Sequence, residues 1–224
     1  MTVEIMVAGY YIAFIAGLGG KNAVLKGLMI AICLMSRYSL VLWLPLWVAV
    51  EFISGNRKQL GISLLVIFLF IVGIYGIPFL SHDPGIFLRG YKYYSQAAMG
   101  EWQHLDDQQH PYHLYGGHGF AWLFYSKLSQ YSLPDRLKSL QKVHFLLSFG
   151  SVVVMGIWYW FNRKKVNYKL FLLGSFKIYL SIFLAFIQVP YAYLMITGSF
   201  VSIAILAELM RYKAVTTPLP AARN

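Results

Sequence analysis

The sequence predicts an all-α fold: a polytopic transmembrane helix bundle of six to seven passes, with a short-helix hairpin and one large extracytoplasmic loop bearing amphipathic helices. Three observations predict it. Of 224 residues, 58% are hydrophobic and only 12% charged, with a mean hydropathy of +0.59, whereas soluble domains carry about 25% charged residues. The apolar residues fall in long runs. The basic residues gather at the ends of those runs, which is the pattern of topology signals, with some attraction to anionic lipid headgroups. That placement also accounts for the net charge of +11 without nucleic acid, which is excluded as a partner.

The first run, 3–18, begins almost at the first residue with no basic segment before it and no small-residue cleavage site after it. It reads as a membrane helix and not as a removed signal peptide. A short basic turn with Lys21 and Lys26 follows. The next apolar runs, 27–35 and 38–50, are separated by the polar triplet Ser36, Arg37, Tyr38 and followed by Arg57 and Lys58. An isolated arginine at the centre of a bilayer costs roughly 3 kcal/mol on insertion scales. Either one long helix buries Arg37 against a polar partner, or two short arms, 22–35 and 38–53, form a hairpin with 36–38 at its tip. The hairpin is preferred because both basic flanks then share one side of the membrane. Each arm is shorter than the roughly 20 residues of a simple span, and Pro45 is expected to kink the second or to leave a backbone carbonyl free.

Residues 61–80 read as a plain span ending at Pro78. From 81 to about 140 the chain is mixed and polar, with five of the eight acidic residues and five of the six histidines. It is expected to be one outer loop, with surface-lying amphipathic helices at 86–99 and 120–128. A span at 143–161 leads to the strongest basic cluster, Arg163, Lys164, Lys165 and Lys169. Two further spans, 170–189 and 192–209, are joined by a tight turn at Pro190. The membrane domain is therefore 1–213, and 214–224 is expected to be a disordered cytoplasmic tail. Placing every basic cluster in the cytoplasm requires seven passes and puts the large loop outside. Joining 27–50 into one span gives six passes and leaves Lys21 and Lys26 on the wrong side, but keeps that loop outside. Cys33 is the only cysteine, so an intramolecular disulfide and a thiolate metal cluster are excluded.

Several residues could carry chemistry. Arg37 presents a planar, always-charged fork suited to phosphate, with a snorkelling or structurally paired arginine as the equal alternative. Lys177 is a second intramembrane cation, with Tyr179 and Gln188 as possible polar neighbours in the cavity of Arg37; it also fits snorkelling. Asp83, directly after a span, stands where a general base is useful, although His82-Asp83-Pro84-Gly85 is also an ordinary loop start with Asp83 as a cap. The segment EWQHLDDQQHPYHLYGGH, 101–118, offers His104, Asp106, His110 and His113 as ligands for a divalent metal. It contains no HExxH or HxxEH, and a solvated polar loop explains it equally simply. Gly116, Gly117 and Gly119 lack the context of a nucleotide loop.

The order of pieces resembles a known family. GLMIAICLMSRYSLVLWLPLW is similar to the hairpin of GT-C type integral-membrane glycosyltransferases: glycine, apolar run, basic residue, small or aromatic residue, apolar run, proline. The basic turn GNRKQ, the span ending GIYGIPFLSHDPGIFLRGYKYY, and VPYAYLMITG look like the later half of such proteins, including bacterial mannosyltransferase-like members. The resemblance covers most of 21–210. It implies residence in the plasma (inner) membrane and transfer of a sugar from a polyprenyl-phosphate donor to an acceptor at the outer face, with Arg37 holding the donor phosphate. In that superfamily acidic catalytic residues follow the first helix, whereas this chain has no Asp or Glu between Glu4 and Glu51. The expectation is that these residues correspond to the carboxyl-terminal part of a longer enzyme, with the base supplied by a missing amino-terminal half or a partner subunit. Two other classes remain in view: a small permease or assembly partner with Arg37 and Lys177 on its path, and a metal-handling membrane protein using the histidine segment.

Overall fold

The computed structural model describes residues 2–20, 22–36, 40–115 and 119–216. Among these residues the chain is helical, with no strand beyond a single bridge between Leu105 and Pro111. The helices are α1 (Thr2–Gly19), α2 (Ala23–Ser36), α3 (Leu44–Ile53), α4 (Arg57–Ile71), α5 (Ile86–Gln103), the single turn α6 (Tyr112–Tyr115), α7 (Ala121–Lys127), α8 (Leu133–Asn162), α9 (Tyr168–Ala185) and α10 (Ala192–Thr216). A π-helical segment, Val72–Leu80, continues α4 without a break.

Local chemistry sets several of these boundaries. Asn22 Oδ1 accepts the N–H groups of Val24 (3.0 Å) and Leu25 (3.1 Å), and Asn167 Oδ1 accepts that of Lys169 (2.9 Å). Each supplies the acceptor that the first turn of α2 or α9 otherwise lacks. Pro45 does not kink a helix, contrary to expectation. It lies in the first turn of α3, where its missing N–H removes no bond, and the second arm is instead divided into a turn at 40–43 and α3. The run 61–80 is likewise not a plain α-helix. Pro78 cannot donate and its ring crowds the carbonyl four residues back; the wider π geometry accommodates it, and Ser81 N–H donates to Gly76 O at 3.0 Å, five residues earlier. α8 begins ten residues before the apolar run that marks it in the sequence, and α10 continues to Thr216; residues 217–224 lie outside the described residues.

The long helices share one end. Lys169 Nζ donates to Gly19 O (2.8 Å), Lys26 Nζ to Glu51 Oε1 (2.7 Å) and Asn56 Nδ2 to Tyr168 Oη (2.7 Å), while Ser54 Oγ meets Tyr159 Oη at 2.9 Å. The last turns of α1, α3 and α8 and the first turns of α2, α4 and α9 are thereby held together. This is the basic end, with Arg57, Lys58 and Arg163 to Lys165 around it. Because Lys26 starts α2 and Glu51 ends α3, the two short helices run in opposite directions.

The core lies between these helices. Phe14, Trp43 and Phe176 form a triangle of edge-to-face rings with centroids 5.0 to 5.8 Å apart, each such contact contributing about 0.5–1.5 kcal/mol beyond area burial. Trp43 Nε1–H donates to Ser175 Oγ at 3.3 Å, so the indole's one polar atom is satisfied in the interior. A second cluster, centred on Trp102, Leu114 and Leu140, packs α5, α6 and α7 against the start of α8 at the opposite end. Three helices are long and apolar enough to cross a membrane: Arg57–Leu80, Leu133–Asn162 and Tyr168–Ala185. Their outward faces carry Leu65, Phe68, Val154, Phe161 and Ile178, all exposed. An apolar belt of this kind is what a bilayer covers.

Candidate functional site

The end opposite the basic cluster gathers the segments on which the sequence places chemistry. α2 ends there, and Tyr75 Oη donates to Met35 O at 3.4 Å, seating the π-helical segment beside it. Arg37 lies outside the described residues, between the end of α2 and the turn that leads into α3. Asp83 follows the π-helical segment. Its Oδ1 accepts Gly85 N–H at 3.1 Å and its Oδ2 is ion-paired with Arg89 Nη2, so the carboxylate closes the turn into α5.

The histidine segment folds into a small closed loop. Asp106 N–H donates to His110 O (2.7 Å), and Asp106 Oδ1 accepts the N–H groups of Gln108 (2.9 Å) and His110 (2.7 Å). Asp106 Oδ1 is therefore spent on backbone, and Oδ2 lies 3.9 Å from His110 Nδ1. His104 lies edge-on to Tyr112, and His113 turns instead to Glu101, Nδ1 to Oε2 at 2.6 Å. Among the described residues no three His, Cys, Asp or Glu side chains converge on a point that could hold a metal. His104, Asp106, His110 and His113 are near in sequence but are not assembled as one ligand set.

Glu101 is the better-built group. Besides His113 it accepts a hydrogen bond from Tyr191 Oη at 2.8 Å, which ties α5 and α6 to the link between α9 and α10. Partial burial pushes its carboxyl upward, but the hydrogen bonds from Tyr191 and His113, together with the charges of His113 and His104, more than offset this. Its pKa lies below the ordinary glutamate value.

Lys177 lies midway along α9 on the wall of a groove of about 700 Å³ bounded by α9, α10 and the backbone at Gly119 and Phe120. Ser181, Ser199 and Ser202 line the same groove and Leu180, Leu184 and Ile205 supply its apolar side. The expected neighbours are elsewhere. Tyr179 is fully buried in the core, and Gln188 accepts from Gln141 Nε2 (3.2 Å) and, through its carbonyl, from Trp102 Nε1 (2.9 Å).

Two features escaped sequence reasoning. Lys26, counted there as a basic flank, is 2% exposed and ion-paired with Glu51, itself 1% exposed. The signal was present: Glu51 is the one carboxylate between Glu4 and Asp83, and an acid within an apolar arm needs a partner. The Glu101–His113–Tyr191 constellation had no comparable mark, since Tyr191 is 90 residues from Glu101. Comparison of the chain with family models, with curated proteins and with solved structures finds no match.

Proposed function

We propose that this chain is an integral membrane protein of the GT-C glycosyltransferase kind, binding a polyprenyl-phosphate-linked sugar at the outer face of the membrane. The observation that carries the reading is the reversal between α2 and α3. The pairing of Lys26 with Glu51 at one end supports opposite directions for α2 and α3, and in sequence Arg37 falls in the segment that joins them. With the basic end in the cytoplasm by the positive-inside rule, α1, α4 with its π-helical extension, α8, α9 and α10 are assigned as spans and α2 with α3 as a short hairpin, seven passes when both hairpin arms are counted. α5 to α7 then form the outer layer. α3, ten residues long, spans about 15 Å, half of a hydrocarbon core of about 30 Å, which agrees with a hairpin that lives inside the bundle.

In this reaction the acceptor hydroxyl forms a bond to the anomeric carbon as the bond from that carbon to the phosphate oxygen breaks. The hydroxyl proton passes to a carboxylate, and the leaving polyprenyl phosphate carries the negative charge. Arg37 is assigned to that charge, as a preorganised donor acts on charge that develops during reaction. Lys177 is assigned as a second cation, and Asp83 as the carboxylate on this chain. Substitution of Arg37 by alanine tests the reading. Binding of a polyprenyl-phosphate sugar by the purified, folded protein is expected to fall about tenfold or more, the usual weight of a charge-assisted hydrogen bond to phosphate. Unchanged binding in a folded Arg37→Ala protein removes the role assigned to the arginine and, with it, the reading.

A further inference from the structure

The basic end contains a cleft that the transferase reading does not use. It has a volume of about 720 Å³ and lies between the end of α3, the end of α8 and the start of α9. Arg163, Lys164 and Lys169 line it, together with Ser54, Tyr159 and Tyr168, and no carboxylate does. The nearest acid on these elements, Glu51, is spent on Lys26 and on Asn56 Nδ2 (3.1 Å), so the cleft keeps its positive charge.

The walls are fixed. Tyr159, 2% exposed, holds its hydroxyl 2.9 Å from Ser54 Oγ, which in turn donates to Val50 O at 2.7 Å. Tyr168 Oη accepts from Asn56, and Lys169 Nζ is fixed by its bond to Gly19 O. Arg163 is carried at the rim over the ring of Trp160, 4.3 Å from its centroid. The first N–H groups of α9 are taken by Asn167 itself, so the attraction comes from the side chains and not from the helix end. Trp160, whose ring carries Arg163, is itself exposed, to 53%. A three-cation cleft next to an exposed tryptophan on an apolar helix matches a phosphate ester that carries a hydrocarbon chain.

We propose that this cleft is a binding site for the phosphate of an anionic phospholipid, seated at the basic end with its chains against Trp160. The shared chemistry is a phosphate ester, and two arms of the test separate a lipid from a soluble source. The full chain, purified in detergent and stripped of lipid, is titrated with dioleoyl phosphatidylglycerol or dioleoyl phosphatidylcholine, and lipid retention is read by native mass spectrometry. Retention of phosphatidylglycerol is expected to exceed that of phosphatidylcholine by about fivefold. R163Q/K164Q is expected to lower it about tenfold, the order set by two basic side chains at a headgroup. K58Q/K165Q removes the same charge from the same end outside the cleft and is expected to change it less than about twofold. Arg163 and Lys164 are exposed, and unchanged melting of R163Q/K164Q confirms the fold. Equal losses in the two double variants, or no preference for phosphatidylglycerol, overturn the site. Displacement of the lipid by glycerol 3-phosphate at equal concentration overturns its lipid source.

Discussion

Lys26 Nζ lies 2.7 Å from Glu51 Oε1, and both side chains are almost wholly buried. The pair joins the first turn of α2 to the last turn of α3, and Asn56 Nδ2 satisfies the other carboxylate oxygen. Removing one partner strands a buried charge, at a typical cost of about 3–5 kcal/mol, whereas replacing both by apolar residues is often close to neutral. Lys26→Met and Glu51→Leu alone are therefore expected to lower the melting temperature in detergent sharply. The double variant should recover most of the loss, and a double variant as unstable as the sum of the singles contradicts this account.

Gly27, one residue on, faces α4 so closely that a Cβ there would sit 2.6 Å from Ser63 O and 2.9 Å from Val66 Cβ. Ser63 Oγ donates to Ala23 O across the same seam at 2.8 Å, so backbone must move to make room. Gly27→Ala is expected to destabilise by about 1–3 kcal/mol. Gly9→Ala, in open space on α1, should stabilise by up to about 1 kcal/mol through helix propensity. Thermal melting of the two variants side by side decides it.

The depressed pKa of Glu101 sets a pH dependence for the α5–α7 layer. A carboxyl whose folded pKa lies below its unfolded value contributes stability that is complete above the ordinary glutamate value of about 4.3 and is lost as pH falls through the folded value. Tyr191→Phe removes the hydrogen bond from Tyr191, the strongest of the influences that hold the carboxyl below its ordinary range. The midpoint of acid loosening, followed by hydrogen exchange in α5, should therefore move to higher pH in that variant. An unchanged midpoint rules out the linkage.

Arg136 donates to three backbone carbonyls, those of Tyr125 (2.9 Å), Ser129 (2.7 Å) and Tyr131 (2.9 Å). The turn between α7 and α8 is wrapped around one guanidinium. Lysine cannot reproduce that planar fork, so Arg136→Lys is expected to lose nearly as much protection of residues 125–131 as Arg136→Ala. Each charged hydrogen bond lost costs about 1.5–3 kcal/mol where the carbonyl stays unsatisfied, and full rescue by lysine argues against the fork.

Lys177 is exposed and makes no ion pair among the described residues. Lys177→Met is therefore expected to leave stability within about 0.5 kcal/mol while weakening donor-lipid binding roughly fivefold, about 1 kcal/mol. Equal binding by the variant identifies Lys177 as a side chain that merely reaches for polar surroundings.

Hydropathy carried most of the fold, because helix positions in such a chain follow the apolar runs. The first hairpin arm, the amphipathic pieces within α5 and α7, and the helix following Arg163 to Lys169 were legible to within a few residues, whereas the helix of the second arm starts six residues late, at Leu44. Polar helix was not: the ten residues from Leu133 to Lys142 that open α8 carry five charged or amide side chains and read as loop. Pairings between distant positions were also hidden. Lys26 looks the same in sequence whether it meets water or Glu51, and the partners of His113 depend on how α5 and α6 stack. The donor role of Arg37 rests on sequence resemblance and the direction of α2 and α3, since the residue lies outside the described part.

The α5–α7 layer packs on the start of α8 through the cluster around Trp102 and Leu140, and hydrogen bonds also tie it to the exit of α9. Phe120 N–H bonds to Ala185 O (2.8 Å), Trp102 Nε1–H to Gln188 O (2.9 Å) and Tyr191 Oη–H to Glu101 (2.8 Å). These three bonds fall on seven consecutive residues, 185–191, beginning with the last residue of α9. The layer therefore couples two helices: a tilt at the exit of α9 strains its seat on α8, and a ligand wedged in the groove beside Lys177 presses on the strip that joins them.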